Sequence, residues 1–162
     1  MPLPQRKAQR SKSWDYSNNG IYFVAFCTAE KHKTLGKVCR PSQKSQDGYK
    51  AMLTTLGHIC EASIEDVLTH FEHISVIDHV VIPNHVHMLI EVKTNNTRQL
   101  SSFVGMVKRL SSMMAHRAGC SGQLWQRSFH DHIVRDESDL TRIREYIQEN
   151  PRKWEEDRYF VP

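Results

Sequence analysis

Apolar and aromatic residues crowd the stretch from Ile21 to Thr28, IYFVAFCT, directly after the turn-forming run Ser17-Asn18-Asn19-Gly20. Such a run, bounded by turn formers, predicts a first strand. The polar stretch from Ala29 to Asp47 predicts a long loop. Between Gly48 and His70 the apolar positions Tyr49, Met52, Leu53, Leu56, Ile59 and Cys60 recur at helical spacing and predict a first helix. Phe71 to Ile82 forms a second strand, Pro83-Asn84 a turn, and His85 to Lys93 a third strand, so this pair is a hairpin. Leu100, Phe103, Val104, Val107, Leu110 and Met114 mark the buried stripe of a second helix, opened by Asn96 or Thr97 and closed by Gly119. Ser128 to Arg135 is a short fourth strand. Asp136 then caps a third helix, DESDLTRIREYIQEN, which stops before Pro151 because proline disfavours helical geometry in the residue ahead of it. The order βαββαβα predicts an α+β fold: a ferredoxin-like βαββαβ core with an antiparallel sheet and an added C-terminal helix.

At 162 residues the chain fits one domain, read as a basic N-terminal tail over 1–16 and a single folded unit over 17–162. No apolar run approaches the roughly 20 residues of a membrane span, so a membrane protein is excluded. The N-terminus lacks the apolar core of a secretory signal, which places the protein in the cytoplasm. Cys27, Cys39, Cys60 and Cys120 include no C-x-x-C pair and read as reduced thiols. A net charge of +4 suits a polyanionic partner, and its placement sharpens the point: Arg6, Lys7, Arg10 and Lys12 lie together with no acidic residue among them. A solvated terminus explains that cluster equally well.

Two histidines interrupt the third strand. Side chains alternate along a strand, so His85 and His87 share one face, about 7 Å apart along it, while Val86, Met88, Ile90 and Val92 take the other into the core. Two neutral imidazoles so placed can converge on a divalent ion. In a chain with 10 histidines, a pair simply bonded to its neighbours is an open alternative. The pattern lacks an H-E-x-x-H helix, and Leu89 stands where H-x-H-x-D hydrolases carry an acid, which disfavours zinc hydrolysis. Paired H-x-T and H-x-S strands of a two-histidine phosphodiesterase match His32-Lys33-Thr34 and His73-Ile74-Ser75, but the first falls in a polar loop. Glu91 shares the histidine face as a candidate supporting carboxylate.

On the third helix Leu140, Ile143 and Ile147 form the core stripe, and Tyr146 and Asn150 share its edge one turn apart. Packing and C-terminal capping are ordinary roles for these two. Placed over two strand histidines, a phenol and an amide also have the parts of a metal-assisted phosphodiester nucleophile.

Taken in order, PNHVHMLIE, a helix carrying VKRL, then LWQRSFHDHIVRDE, then YIQENP resemble the single-tyrosine HUH transposases, in particular the REP-associated tyrosine transposases, from about Ile21 to Trp154. The resemblance implies the HUH nuclease fold with the tyrosine on the C-terminal helix. It implies His85, His87 and Asn150 as ligands of Mg2+ or Mn2+, and Tyr146 as the nucleophile that cleaves single-stranded DNA at hairpin-forming repeats through a 5′-phosphotyrosine. Trp125, Gln126 and Arg127 match a family signature assigned to DNA binding, with Trp125 either stacking on a base or anchoring the core. Lys108, Arg109 and Arg135 are further phosphate candidates. Related transposases act as homodimers with the tyrosine donated across subunits or as monomers, and both remain open. A non-cutting hairpin-binding module of the same fold is one alternative. A rolling-circle initiator is another, although such proteins often carry two tyrosines on the helix, whereas Tyr159 lies beyond Pro151.

Overall fold

Strand β1 (Gly20–Cys27) runs through the middle of an antiparallel sheet, and the side chains it sends to either face set the layers. The structure, a computed structural model, describes residues 20–40, 48–93 and 98–162. The sheet order is β4 (Ile74–Ile82), β5 (His85–Val92), β1, β6 (His130–Ile133), so the first strand lies between the hairpin and the last strand, as a ferredoxin-like unit requires. Tyr22, Val24 and Phe26 of β1 and Val86, Met88, Ile90 and Val92 of β5 pack one face against helices α1 (Thr55–Leu68) and α2 (Gln99–Arg117). On the opposite face Leu89 meets Ile143 and Ile147 of helix α3 (Glu137–Glu149), with Phe23, Val80 and Leu140 around them. The expected alternation along β5 thus holds, and it sends the histidines to the α3 face.

Helix ends follow local chemistry. Asp136 caps α3 by accepting a 2.8 Å bond from the backbone N–H of Asp139. Gly119 closes α2 at φ +91°, with Gly119 N–H bonded to His116 O and Cys120 N–H to Ala115 O, which ties off two helix carbonyls. The opening of α2 expected at Asn96 or Thr97 lies outside the described residues, and the helix itself starts at Gln99.

Two expectations need correction. The first helix was expected from Gly48, yet Lys50–Leu53 is a strand, β3, paired with β2 (Gly36–Cys39) inside the stretch expected to be a loop. The apolar positions Met52 and Leu53 fit a strand as well as a helix; Thr54 decides, because its hydroxyl accepts from Gly57 N–H and caps α1 there. Gly57 then packs so closely that an added Cβ would lie 2.1 Å from Leu35 O. The second and fourth strands are also shorter than expected, starting at Ile74 and spanning only His130–Ile133.

Candidate active site

Antiparallel pairing gathers the site. Across β5 from His85 and His87 stand Cys27 and Ala25 of β1, and Ile82 and Val80 of β4. Ala25 leaves room for the His87 ring. Although strand spacing sets their backbones two residues apart, the rings converge, with His85 Nε2 and His87 Nε2 at 2.8 Å. Both side chains are fully buried. The last turn of α3 brings Tyr146 above them, its phenol oxygen 3.3 Å from His87 Nε2 and its ring edge-on to Phe23, which itself stacks on His87. Asn150, one turn on, is buried beside them.

The structure adds a residue that the sequence reading missed. Past Pro151 the chain turns back over the site in a 3-10 turn at Trp154–Glu156, and Asp157 enters between the histidines and the tyrosine. Its Oδ2 accepts from Tyr146 O–H at 2.5 Å and from the Asn150 amide at 2.7 Å, and lies 3.4 Å from His87 Nε2; Oδ1 lies 3.5 Å from His85 Nε2. Trp154 stacks on His85, and the Tyr159 ring leans over both histidines at 4.9 and 5.8 Å, so Tyr159 is part of the site surroundings although it lies off the helix. The sequence did carry a signal: Trp154, Tyr159 and Phe160 crowd a short segment after Pro151.

Burial and charge fix the protonation states. Burial is the main cause that pushes His87 down to about 4, and it lowers His85 also, so both rings are neutral near pH 7 with lone pairs available. Burial raises the Asp157 carboxyl, but the neighbouring histidines and the Tyr146 hydroxyl outweigh it and hold Asp157 well below the usual carboxylate range. Tyr146 is pushed up, by burial first and then by the Asp157 carboxylate that holds its proton.

These groups fit a divalent ion. His85, His87 and Asp157 each offer one ligand atom, all within 4.8 Å of one another. Among the described residues, Asn150 Oδ1 and His87 Nδ1 are buried without a hydrogen-bond partner, and the first is an amide oxygen of the kind that ligates hard cations. Glu91 takes no part, since its carboxylate pairs with Lys93 at 3.1 Å further along the strand.

The expected DNA-contacting residues divide. Trp125 is 4% exposed, edge-on to Phe26, and spends its indole N–H on Ser111 Oγ at 2.8 Å. It anchors the core, and its face is closed to a base. Lys108 holds the following loop together by donating to the carbonyls of Gln126, Arg127 and Ser128. Arg109, Gln126 and Arg127 line an open groove of about 350 Å3. That groove is at the histidine end of the sheet, because Gln126 N–H bonds Cys27 O and Cys27 pairs with His85. Arg135 follows Val134, which bonds Ile21 O at the other end, so the fold does not bring it to the site.

Known proteins share the family pattern and the fold of this chain. A family model described as Transposase IS200 like matches residues 17–150. An uncharacterised Haemophilus influenzae protein is 28% identical over 98% of this chain and 95% of its own. A second H. influenzae protein, provisionally named REP-associated tyrosine transposase, is 28% identical over 86% of this chain and 74% of its own. Among solved structures, a REP-associated tyrosine transposase bound to a REP hairpin matches with a TM-score of 0.63 at 21% identity, covering 93% of this chain and 74% of that one. A provisionally named transposase from Deinococcus radiodurans matches at 0.53 and 17%, covering 86% and 96%. The two structures share the fold.

Proposed function

The chain belongs to the IS200-like transposase family, and from that membership we propose a metal-dependent single-strand DNA endonuclease and strand transferase that works through a 5′-phosphotyrosine at hairpin-forming repeat DNA. The observation that carries the reading is the convergence of the Tyr146 phenol on two neutral imidazoles, with the buried Asn150 amide and the Asp157 carboxylate beside them. Tyr146 reaches His87 of its own chain, which supports a site completed in cis. The relative bound to a REP hairpin supports the choice of hairpin DNA as substrate.

His85 and His87 would hold Mg2+ or Mn2+, with Asn150 or Asp157 as the oxygen ligand. Bound there, the ion supplies positive charge to a phosphate oxygen as charge develops on it. The phenol oxygen of Tyr146 attacks phosphorus as the bond to the 3′-oxygen breaks. One proton leaves the phenol and one reaches the 3′-hydroxyl, so the step balances without ATP and runs backwards to rejoin DNA. In the conformation described, Asp157 Oδ2 holds the phenol proton and the C-terminal segment covers the histidines, so a phosphate reaches them only after residues 154–160 move. Arg109, Gln126 and Arg127 supply the flanking groove for backbone phosphates.

Incubating the protein with labelled single-stranded hairpins from genomic repeats, with Mg2+, Mn2+ or EDTA, tests this on a denaturing gel. A metal-dependent protein–DNA adduct is expected. Hairpin binding with no adduct under any metal would instead favour the non-cutting module.

A further inference from the structure

Asn84 sits in the two-residue turn between β4 and β5, fully buried, where an ordinary turn residue faces solvent. Asparagine is common in turns because it tolerates positive φ. Here that explanation fails, since Glu30 and Lys31 are the non-glycine residues with positive φ among those described. The side chain, not the backbone, calls for asparagine.

Its three hydrogen bonds define its orientation. Nδ2 faces two carbonyl oxygens, Lys31 O at 3.2 Å and Tyr159 O at 2.9 Å, and both can only accept. The amide NH2 must therefore be on that side, which leaves Oδ1 facing His85 Nδ1 at 2.7 Å. An amide oxygen is only an acceptor, so Nδ1 of His85 carries the ring proton and Nε2 keeps its lone pair. That lone pair faces His87 Nε2, 2.8 Å away, and without a metal ion it accepts a hydrogen bond from His87 Nε2–H at the place where the ligand atoms meet. His87 has no such partner, because its Nδ1 is buried and unbonded. The ring proton of His85 is set from outside the pair, and that of His87 follows from His85 alone.

We propose that Asn84 is the positioning residue of the metal centre: through Oδ1 it holds His85 in the Nδ1–H form and presents Nε2 to a divalent cation. The ligand role of His85 rests on the proposed function; the assignment of its ring proton stands apart from it. The same amide grips the Tyr159 carbonyl, so Asn84 also ties the histidine to the covering segment. Outer partners that orient a ligating imidazole typically change metal affinity by about 10- to 100-fold when removed.

The test uses the full chain, labelled with 15N and free of metal. Long-range 1H–15N spectra of the imidazoles report which nitrogen of His85 carries the proton, and water-proton relaxation reports Mn2+ binding. Asn84→Asp keeps an acceptor for Nδ1–H but loses the donors to Lys31 O and Tyr159 O; Asn84→Ala loses both. The expected result is protonated Nδ1 on His85 in the parent and in Asn84→Asp, Mn2+ affinity in Asn84→Asp within about 3-fold of the parent, and a roughly 10- to 100-fold loss in Asn84→Ala. Protonated Nε2 on His85 in the parent overturns the proposal, and that readout stands even where Asn84→Ala fails to fold. Equal loss of Mn2+ binding in both variants also overturns it, by showing that Asn84 acts only as a tie for the chain. A parent that binds no Mn2+ overturns the metal role, and with it the proposed function, while the ring signals still decide whether Asn84 sets the His85 proton.

Discussion

Tyr146, His85, His87 and Asn150 were legible in the sequence because strand alternation and helical spacing place side chains on a face without knowledge of anything distant. Asp157 was not, since its position depends on the chain reversing after Pro151 and on Trp154 and Tyr159 packing against the histidine rings. Trp125 shows the converse limit: a tryptophan beside an arginine suits a base-stacking role on paper, and only its bond to Ser111 and its contact with Phe26 assign it to the core. Two predictions belong at this scale. Tyr146→Phe removes the proposed nucleophile but keeps the ring, so adduct formation is expected to fall below detection on the gel while hairpin affinity, read by fluorescence anisotropy, stays within about 3-fold. In EDTA-treated protein, His87 is depressed from 6.5 to about 4. The unfolded chain then binds the proton that the folded chain refuses, so the stability contributed by the neutral ring is fully present above pH 6.5 and is lost as pH falls towards 4. Urea unfolding at pH 7 and pH 4.5 should show a loss from this group of up to about 3 kcal/mol.

The elements that the sequence predicted well are those whose periodicity is long and whose ends carry a chemical marker. The Asp136 cap and the Gly119 terminus of α2 are both present where a capping carboxylate and a glycine free to take positive φ placed them. The β2–β3 pair was missed because four-residue strands show too little alternation to be told from the first turn of a helix. Gly57 locates the boundary in space. Since an added methyl would meet Leu35 O and the Leu53 side chain together, Gly57→Ala must push α1 off the β2–β3 pair. A loss of roughly 1–3 kcal/mol is expected in urea denaturation, the cost of overpacking a fitted contact, although alanine is the better helix former at an open site. No gain in stability is compatible with the described packing.

For the whole molecule, two layers of different character share one sheet. The α1–α2 side is the larger apolar core, and the α3 side is thin, with Leu89, Ile143 and Ile147 giving way to four histidines on the same face, His85, His87, His130 and His132. Among the described residues no helix is long and apolar enough to cross a membrane. The C-terminal segment completes the thin side, with Trp154 and Asp157 both buried. Trp154→Ala removes the ring stacked on His85, so adduct formation on hairpin DNA should become faster, read as initial rate, while thermal unfolding shows a loss of about 3 kcal/mol. An unchanged or slower rate would mean that the segment is not what limits access to Tyr146.

Tyr146 and the covering segment leave the same end of α3, with Asn150 and Pro151 between them. A strand of DNA joined to the phenol would occupy the place where Asp157 now accepts the phenol's hydrogen bond. The covalent link would then act as a wedge that keeps the enzyme propped open for as long as it lasts, and only rejoining the DNA would let the segment fall shut, so the enzyme would register through its own shape whether a strand end is still in its keeping.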